Sequence, residues 1–281
     1  MSFLVMLLAL LLERFTALHG RIQQDALLQR FLEWLIQARV LKGHAWLALL
    51  AALLALLLPV ALLLQILAPL AYGVLLVPAH VLILLWSFGR GTPLADLAAL
   101  RARWLREDDQ AASLHAEQTL GLRADSAPAL LQQVQGYLLW QSYQGWFAVI
   151  FYYALLGPLG ALGYRLVAVL GEQPAGTPGQ EPAVRLRHLL DALPVRLLLL
   201  ALALAGNFVT AGALLRRHLL DGKISAPQLL AEGGRAAAEL PAQPLPGDGR
   251  AAVHSLEDLQ HVLMRAGWIW ASVLAAGVLL G

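Results

Sequence analysis

The sequence predicts an all-α integral membrane protein: a polytopic helical bundle with about four firm spans, two broken or re-entrant units and amphipathic interfacial helices. Of its 281 residues, 59% are hydrophobic and 14% are charged, whereas soluble domains carry about 25% charged residues. The mean hydropathy is +0.66. Apolar residues also gather in runs that approach the roughly 20 residues of helix needed to cross a bilayer. These observations exclude a disordered chain and an ordinary cytosolic enzyme.

The firm spans are predicted from three apolar regions. Residues 1–12 are almost wholly apolar and lack the basic leader of a signal peptide, which favours an uncleaved first helix. Residues 45–88 contain no Lys, Arg, Asp or Glu and are long enough for two spans, with a turn near Pro69 or Gly73. Residues 266–280 form a short final span. Together these regions supply the four spans.

Two further apolar regions contain helix breakers. The first, 136–170, is interrupted at Gly157-Pro158, and the second, 195–215, at Gly206-Asn207. We expect both to enter the membrane and return, which requires the broken backbone to be shielded by protein or a cavity. The alternative is that 195–215 spans fully and leaves one polar loop outside.

Polar segments complete the expected single membrane domain, 1–281. Residues 21–40 form an amphipathic helix, either on the membrane surface or against the protein's own core. Residues 89–135 form a polar helical loop, and 216–265 a second polar loop whose Pro/Gly-rich stretch, 241–249, should be mobile. Basic residues concentrate in these segments, which favours a cytoplasmic location for them and a multi-pass topology.

Composition also limits the partners. The formal net charge of +2 is too small to predict nucleic-acid binding. The chain has no Cys, which excludes a disulfide framework and thiolate metal sites. The lipid bilayer is therefore the one partner that composition predicts.

Three charged residues lie in apolar segments: Arg165, Asp191 and Arg196. Charges within membrane segments usually face a bundle interior or water. We expect a buried cluster in which Asp191 balances one or both arginines and Gln144 adds a hydrogen bond. The alternative is that both arginines extend to the interface with their heads in water.

Other candidates have weaker patterns. Glu13 and Arg14 end the first helix, either as a site or as an interfacial cap. Glu107-Asp108-Asp109 is either a Mg²⁺ site or a solvated helix face. Aromatic side chains of 137–152, Trp140 among them, either line a ligand pocket or pack in an interfacial belt.

Four stretches resemble the AmpE family of inner-membrane proteins, which are encoded beside the AmpD amidase in Gram-negative bacteria and associated with β-lactamase regulation. They are residues 11–15 (LLERF), 138–140 (LLW), 160–165 (GALGYR) and 189–197 (LLDALPVRL). The resemblance implies a multi-pass protein of the bacterial inner membrane that regulates or signals in peptidoglycan recycling and the β-lactam response.

The resemblance also implies roles for the candidate residues. Arg165 and Arg196 would contact an anionic group of a small ligand, or a partner protein, and Asp191 would orient them. Trp140 and Tyr164 would supply aromatic contacts.

AmpE proteins are in turn similar to the CobD/CbiB membrane enzymes of cobalamin biosynthesis, which form an amide bond using ATP. Residues 161–165, 190–197 and the pair Arg106 and Asp108 match stretches of those enzymes. This implies an alternative function, an ATP- and Mg²⁺-dependent amide-forming enzyme with Arg106, Glu107 and Asp108 as the phosphate and metal grip. The sequence departs from the enzymes at 136–140 and 167–170, where they carry acidic residues.

Overall fold

The helical fold is confirmed in the part of the chain that this computed structural model describes. That part comprises residues 5, 6, 8, 9, 12, 44–69, 74–89, 93–174, 176–177, 179–219, 221–241 and 248–280. Every regular element in these ranges is a helix. The first span at 1–12 is described only at five helical positions, and the amphipathic segment 21–40 and the pair Glu13 and Arg14 lie outside the described residues.

Ten α-helices and two π-helical turns are described from residue 44 onward. The helices are α1 (Ala45–Leu67), α2 (Leu76–Ser87), α3 (Pro93–Trp104), α4 (Asp109–His115), α5 (Ala127–Ser142), α6 (Ala148–Gly171), α7 (Gln180–Ala205), α8 (Phe208–His218), α9 (Ala226–Ala237) and α10 (Gly249–Leu280). The π-helical turns are Ala116–Leu120, after α4, and Tyr143–Phe147, between α5 and α6.

Three stretches in the described residues are long and apolar enough to cross a membrane: Ala45–Leu67, Ala127–Gly171 and Gln180–Ala205. The turn expected near Pro69 separates α1 from α2. The second helix of this pair differs from the expected full span, because its 12 residues rise only about 18 Å. The final apolar stretch is the end of the 32-residue α10 rather than a separate helix.

Both predicted helix breaks are confirmed. Gly157 adopts φ 70° and ψ −161° inside α6, a conformation that glycine tolerates. Residues 206 and 207 separate α7 from α8, but α7 itself continues through Pro194 and begins at Gln180. The apolar stretch 195–215 is therefore the end of one long helix plus a shorter one, and the re-entrant path stays a prediction.

The chain forms two compact units rather than one contact cluster, and the predicted single membrane domain stays a prediction. The first unit contains residues up to 90 and 145–191, and the second contains 91–144 and 192–280. In the first unit, α1, α2 and α6 pack around a core of aliphatic side chains that includes Leu49, Leu162 and Leu166.

In the second unit, small residues allow α9 to pack closely on α5. A Cβ at Gly234 would lie 2.6 Å from Cδ1 of Leu139, and a Cβ at Gly233 would lie 2.2 Å from Cδ1 of Leu199. The polar stretch 89–135 is helical, as expected, and forms α3, α4 and the start of α5. Most of the Pro/Gly-rich stretch expected to be mobile lies outside the described residues.

The break at residues 206 and 207 is hydrogen-bonded to the C-terminal end of α9. The Asn207 N–H donates to the Ala237 carbonyl at 2.8 Å, and its side-chain amide donates to Glu239 at 2.6 Å. The Asn207 side-chain oxygen also accepts from Val209 N–H and so caps α8. One asparagine thus begins α8 and fixes α9 within the second unit.

Candidate functional site

The kink in α6 precedes a buried polar region of the first unit. Pro158 has no N–H to donate, so the helix is weakened directly after the positive φ of Gly157. The helix then resumes and carries Tyr164 and Arg165. Their side chains are buried: the residues are 2% and 5% exposed.

Asp191 is the buried carboxylate of this interior, with 2% of the residue exposed. Its Oδ1 accepts a hydrogen bond from the Tyr164 hydroxyl at 2.9 Å. Its Oδ2 lies 3.6 Å from Nε of Arg187, one turn earlier on α7. The carboxylate is therefore both hydrogen-bonded and charge-balanced, as a buried charge requires.

Arg187 links this carboxylate to a second one. Its Nη1 lies 3.3 Å from Oε1 of Glu172, which follows the end of α6. The Arg187 side chain is 13% exposed and that of Glu172 is 51% exposed. This row of charged side chains thus runs from a solvent-exposed position to a buried one, in the order Glu172, Arg187, Asp191.

Tyr152 adds an aromatic and polar contact on the other side of the kink. Its hydroxyl donates to the Leu190 carbonyl at 2.7 Å. Its ring stacks on that of Tyr164, with centroids 5.1 Å apart and an interplanar angle of 16°. The two tyrosines bridge both halves of α6 to one turn of α7 and fix the kinked geometry.

Arg165 differs from its neighbours in how it is paired. Among the described residues, Glu172 and Arg187 are the charged groups that act on it electrostatically. Within the ranges that the structure describes, no residue accepts a hydrogen bond from its guanidinium. A guanidinium carries five N–H donors in a fixed fork, so this buried cation can bind the oxygens of an anionic group.

The predicted cluster is therefore present in part and differs in its main partner. The structure brings Arg165, Tyr164 and Asp191 into one interior, but the guanidinium paired with Asp191 is that of Arg187. The sequence pattern predicts Arg165 or Arg196 as that partner, and this prediction is wrong. The i,i+4 spacing of Arg187 and Asp191 is the sequence signal that would have identified the pair.

Arg196 lies in the second unit, and its side chain donates hydrogen bonds to backbone carbonyls. Its guanidinium donates to the carbonyls of Ala192, His218, Leu219 and Asp221 at 2.7–3.1 Å. The side chain thereby satisfies carbonyls at the end of α8, which have no partner within that helix. Neither sequence alternative, a charge cluster or a head in water, anticipated this capping role.

The turn bound by Arg196 has its own polar contacts. Asp221 Oδ1 accepts from the Lys223 N–H at 2.9 Å, and its Oδ2 lies 3.2 Å from Nδ1 of His218. These contacts, the backbone one first, hold the pKa of the Asp221 carboxyl below its usual range. The turn is therefore structured by both side-chain and backbone bonds.

Two aromatic-segment candidates have local contacts. Gln144 Nε2 donates to Gln141 Oε1 at 2.7 Å. The Trp140 ring stacks on Tyr143 at a centroid distance of 5.4 Å. Ligand contacts of Trp140 and Gln144 stay predictions.

The candidates for phosphate and metal binding lie on an exposed turn. Arg106, Glu107 and Asp108 are exposed, and Asp108 Oδ1 accepts from the Ala111 N–H at 2.9 Å as the N-cap of α4. Glu107 has φ 59°. Across the described ranges, no three His, Cys, Asp or Glu side chains group as metal ligands.

The long apolar helices and the charges buried between them define a helical integral membrane protein with a polar interior. A family model described as the regulatory signalling modulator protein AmpE matches residues 1–233. The chain belongs to the AmpE family, as its sequence resemblance predicted. No curated protein and no solved structure matches it, and the relation to the CobD/CbiB enzymes stays a prediction.

Proposed function

We propose that this AmpE-family chain is a multi-pass protein of the bacterial inner membrane that modulates the β-lactamase response by binding a small anionic ligand. Family membership supports the regulatory role. The guanidinium of Arg165 supports the binding of an anionic ligand, because it is buried and donates to no acceptor among the described residues. This observation carries the proposal.

In the proposed site, Arg165 binds the anionic group and the surrounding residues position it. The Glu172–Arg187–Asp191 row contributes two negative charges and one positive charge, so adding Arg165 brings the four ionic groups to balance. A bound monoanionic group would give this set of groups a net charge of about −1. Because the Glu172 side chain is half-exposed, solvent can screen that charge. The stacked Tyr152 and Tyr164 lie on the same helix as Arg165 and would supply aromatic contacts to the ligand.

A complementation experiment tests the regulatory role and the ligand site separately. Cells lacking the chromosomal copy receive the parent chain, Arg165→Gln or Arg216→Gln, and β-lactamase activity is measured against antibiotic concentration. Arg216 is an exposed arginine of α8 and serves as the matched control. Arg165→Gln should shift the inducing concentration by about tenfold or more, the worth of one charge-assisted hydrogen bond, and Arg216→Gln should not.

The possible outcomes distinguish the two parts of the proposal. If deleting the chain leaves β-lactamase induction unchanged, the regulatory role is wrong. If deletion changes induction but Arg165→Gln restores it fully, with equal protein in the membrane, the role stands and the proposed ligand site is wrong.

The inner-membrane, multi-pass location has a separate test. The three span-length stretches and the basic polar segments support it. Density-gradient fractionation should place the chain with inner-membrane markers, and reporter fusions after Leu67 and after Gly89 should report the sides of the first described spans. Recovery with outer-membrane or soluble markers would contradict the proposal.

A further inference from the structure

A cavity of about 370 Å³ lies in the first unit, beside the N-terminal ends of α1 and α7. It is lined by His44, Ala45, Trp46, Leu47, Glu181, Pro182 and Arg185. The two chain segments are tightly packed here, since a Cβ at Gly179 would lie 3.3 Å from the Leu49 nitrogen. The two segments that line the cavity therefore pack against each other, and its volume is in the range of small-ligand pockets.

The depth of this cavity in a membrane follows from α1. Its 23 residues contain no charged side chain and rise about 35 Å, slightly more than a bilayer core of about 30 Å. The ends of α1 therefore lie at the level of the lipid headgroups. Trp46 is 52% exposed at this end, and tryptophan favours that level.

Among the described residues that line the cavity, the charged groups are one oppositely charged pair. Glu181 and Arg185 lie one turn apart on α7, and an oxygen of the first is 2.5 Å from a nitrogen of the second. Their side chains are 71% and 66% exposed, so each retains donors or acceptors for a further partner. A pair of opposite charges is complementary to a ligand that itself carries both charges.

We propose that this cavity binds the headgroup of a phosphatidylethanolamine-type lipid. Arg185 donates to the phosphate oxygens, because guanidinium and phosphate geometries match. Glu181 accepts from the primary ammonium, which also lies against the face of the Trp46 ring. A choline headgroup has no N–H to donate to Glu181, and a purely anionic headgroup places no cation beside it.

Native mass spectrometry of the full chain, purified with equimolar ethanolamine, choline and glycerol phospholipids of identical acyl chains, tests this assignment. The parent chain should retain the ethanolamine lipid about fivefold over each of the others, the size expected for exposed charged contacts. Glu181→Gln and Arg185→Gln should each reduce that preference to near equality. Arg217→Gln, at an exposed arginine of α8, should keep it.

A charge-swapped double variant, Glu181→Arg with Arg185→Glu, guards against loss of the ion pair as the explanation. It keeps both charges but exchanges their positions, and it should lose the preference while unfolding at the parent temperature. Equal retention of the three lipids by the parent chain would overturn the proposal. So would a preference for the glycerol lipid, or an ethanolamine preference that survives in both single variants.

Discussion

At the scale of single residues, Arg165 and Asp191, both buried in the first unit, are held in different ways. Asp191 has the Tyr164 hydroxyl and the Arg187 guanidinium beside it. Arg165 is buried in the same interior without a hydrogen-bond acceptor among the described residues. Asp191 is therefore held as a structural charge, whereas the proposed role of Arg165 is to bind a ligand.

This difference predicts that neutralising Asp191 lowers stability much more than neutralising Arg165. Asp191→Asn leaves the mostly buried Arg187 without the more buried of its two carboxylate partners and should lower the free energy of unfolding by roughly 2–4 kcal/mol. Arg165→Met, of similar length, removes a desolvated charge and should cost less than about 1 kcal/mol. Thermal or SDS-induced unfolding of the purified variants measures both values.

The pair of variants is internally controlled, because each removes one charge from the same interior. A large loss of stability for Arg165→Met would show that Arg165 is a structural ion-pair partner. The ligand site proposed for it would then be untenable.

Arg196 should act on stability through backbone carbonyls. Arg196→Lys keeps the positive charge but cannot reproduce a planar fork that donates to four carbonyls. We expect a loss of about 1–3 kcal/mol and faster amide hydrogen exchange at residues 221–223, which follow the capped end of α8. Arg216→Lys, on the exposed side of α8, should leave exchange at the parent rate, and equal exchange in both variants would exclude the capping role.

The sequence predicted which charges are unusual but not how they pair. Arg165 and Asp191 are conspicuous because apolar residues surround them in the chain. Arg187 lies in a polar stretch of the sequence, which predicts an exposed side chain. In the structure this side chain is mostly buried and contacts Asp191. The burial of an arginine depends on the helix that packs beside it. Residue spacing within one helix does not show which helix that is.

At the scale of elements, the helix breaks were predictable and their packing roles were not. Gly157-Pro158 and Gly206-Asn207 interrupt helices for local reasons of backbone freedom and missing donors. The contact between Asn207 and the end of α9 joins residues about thirty positions apart. Only the tertiary structure shows that the second break is also an attachment point.

Two glycines within six residues of each other test that attachment. A Cβ at Gly206 would lie 2.1 Å from the Ala237 carbonyl oxygen, whereas one at Gly212 would meet only the Phe208 ring at 3.7 Å. Gly206→Ala should therefore destabilise the chain by about 1–3 kcal/mol. Gly212→Ala should be neutral or stabilising by about 0.5–1 kcal/mol, since alanine favours helix.

Unfolding of both variants is measured under the same conditions. Equal stability of the two would mean that α9 does not approach the break as closely as described. A loss of stability in Gly206→Ala but not in Gly212→Ala would instead show that α9 contacts the chain at residue 206.

Helix lengths limited the prediction of spans. An uncharged run of residues 45–88 gives no signal for where one helix ends, so two similar spans were expected. The structure instead has a 23-residue α1 and a 12-residue α2. Of the stretches predicted as broken units, 136–170 lies within the span-length region Ala127–Gly171. The other one is divided, because 195–205 ends the span-length α7 and 208–215 belongs to α8.

At the scale of the whole molecule, family membership and the buried polar interior support one account of the protein. The AmpE family match covers the residues that form the Tyr164–Asp191–Arg187 network and Arg165. Apolar composition accounts for the membrane helices, and the costly charges inside them require a reason. The proposed ligand-dependent regulatory role would provide that reason for Arg165.

An experimental density map of the chain in lipid tests this account most directly, at the guanidinium of Arg165. The account predicts that its donors face a polar cavity holding a bound anion or ordered water, within about 3.2 Å. A guanidinium whose donors are all taken up by protein carbonyls and carboxylates would contradict it, because no donor would remain for a ligand.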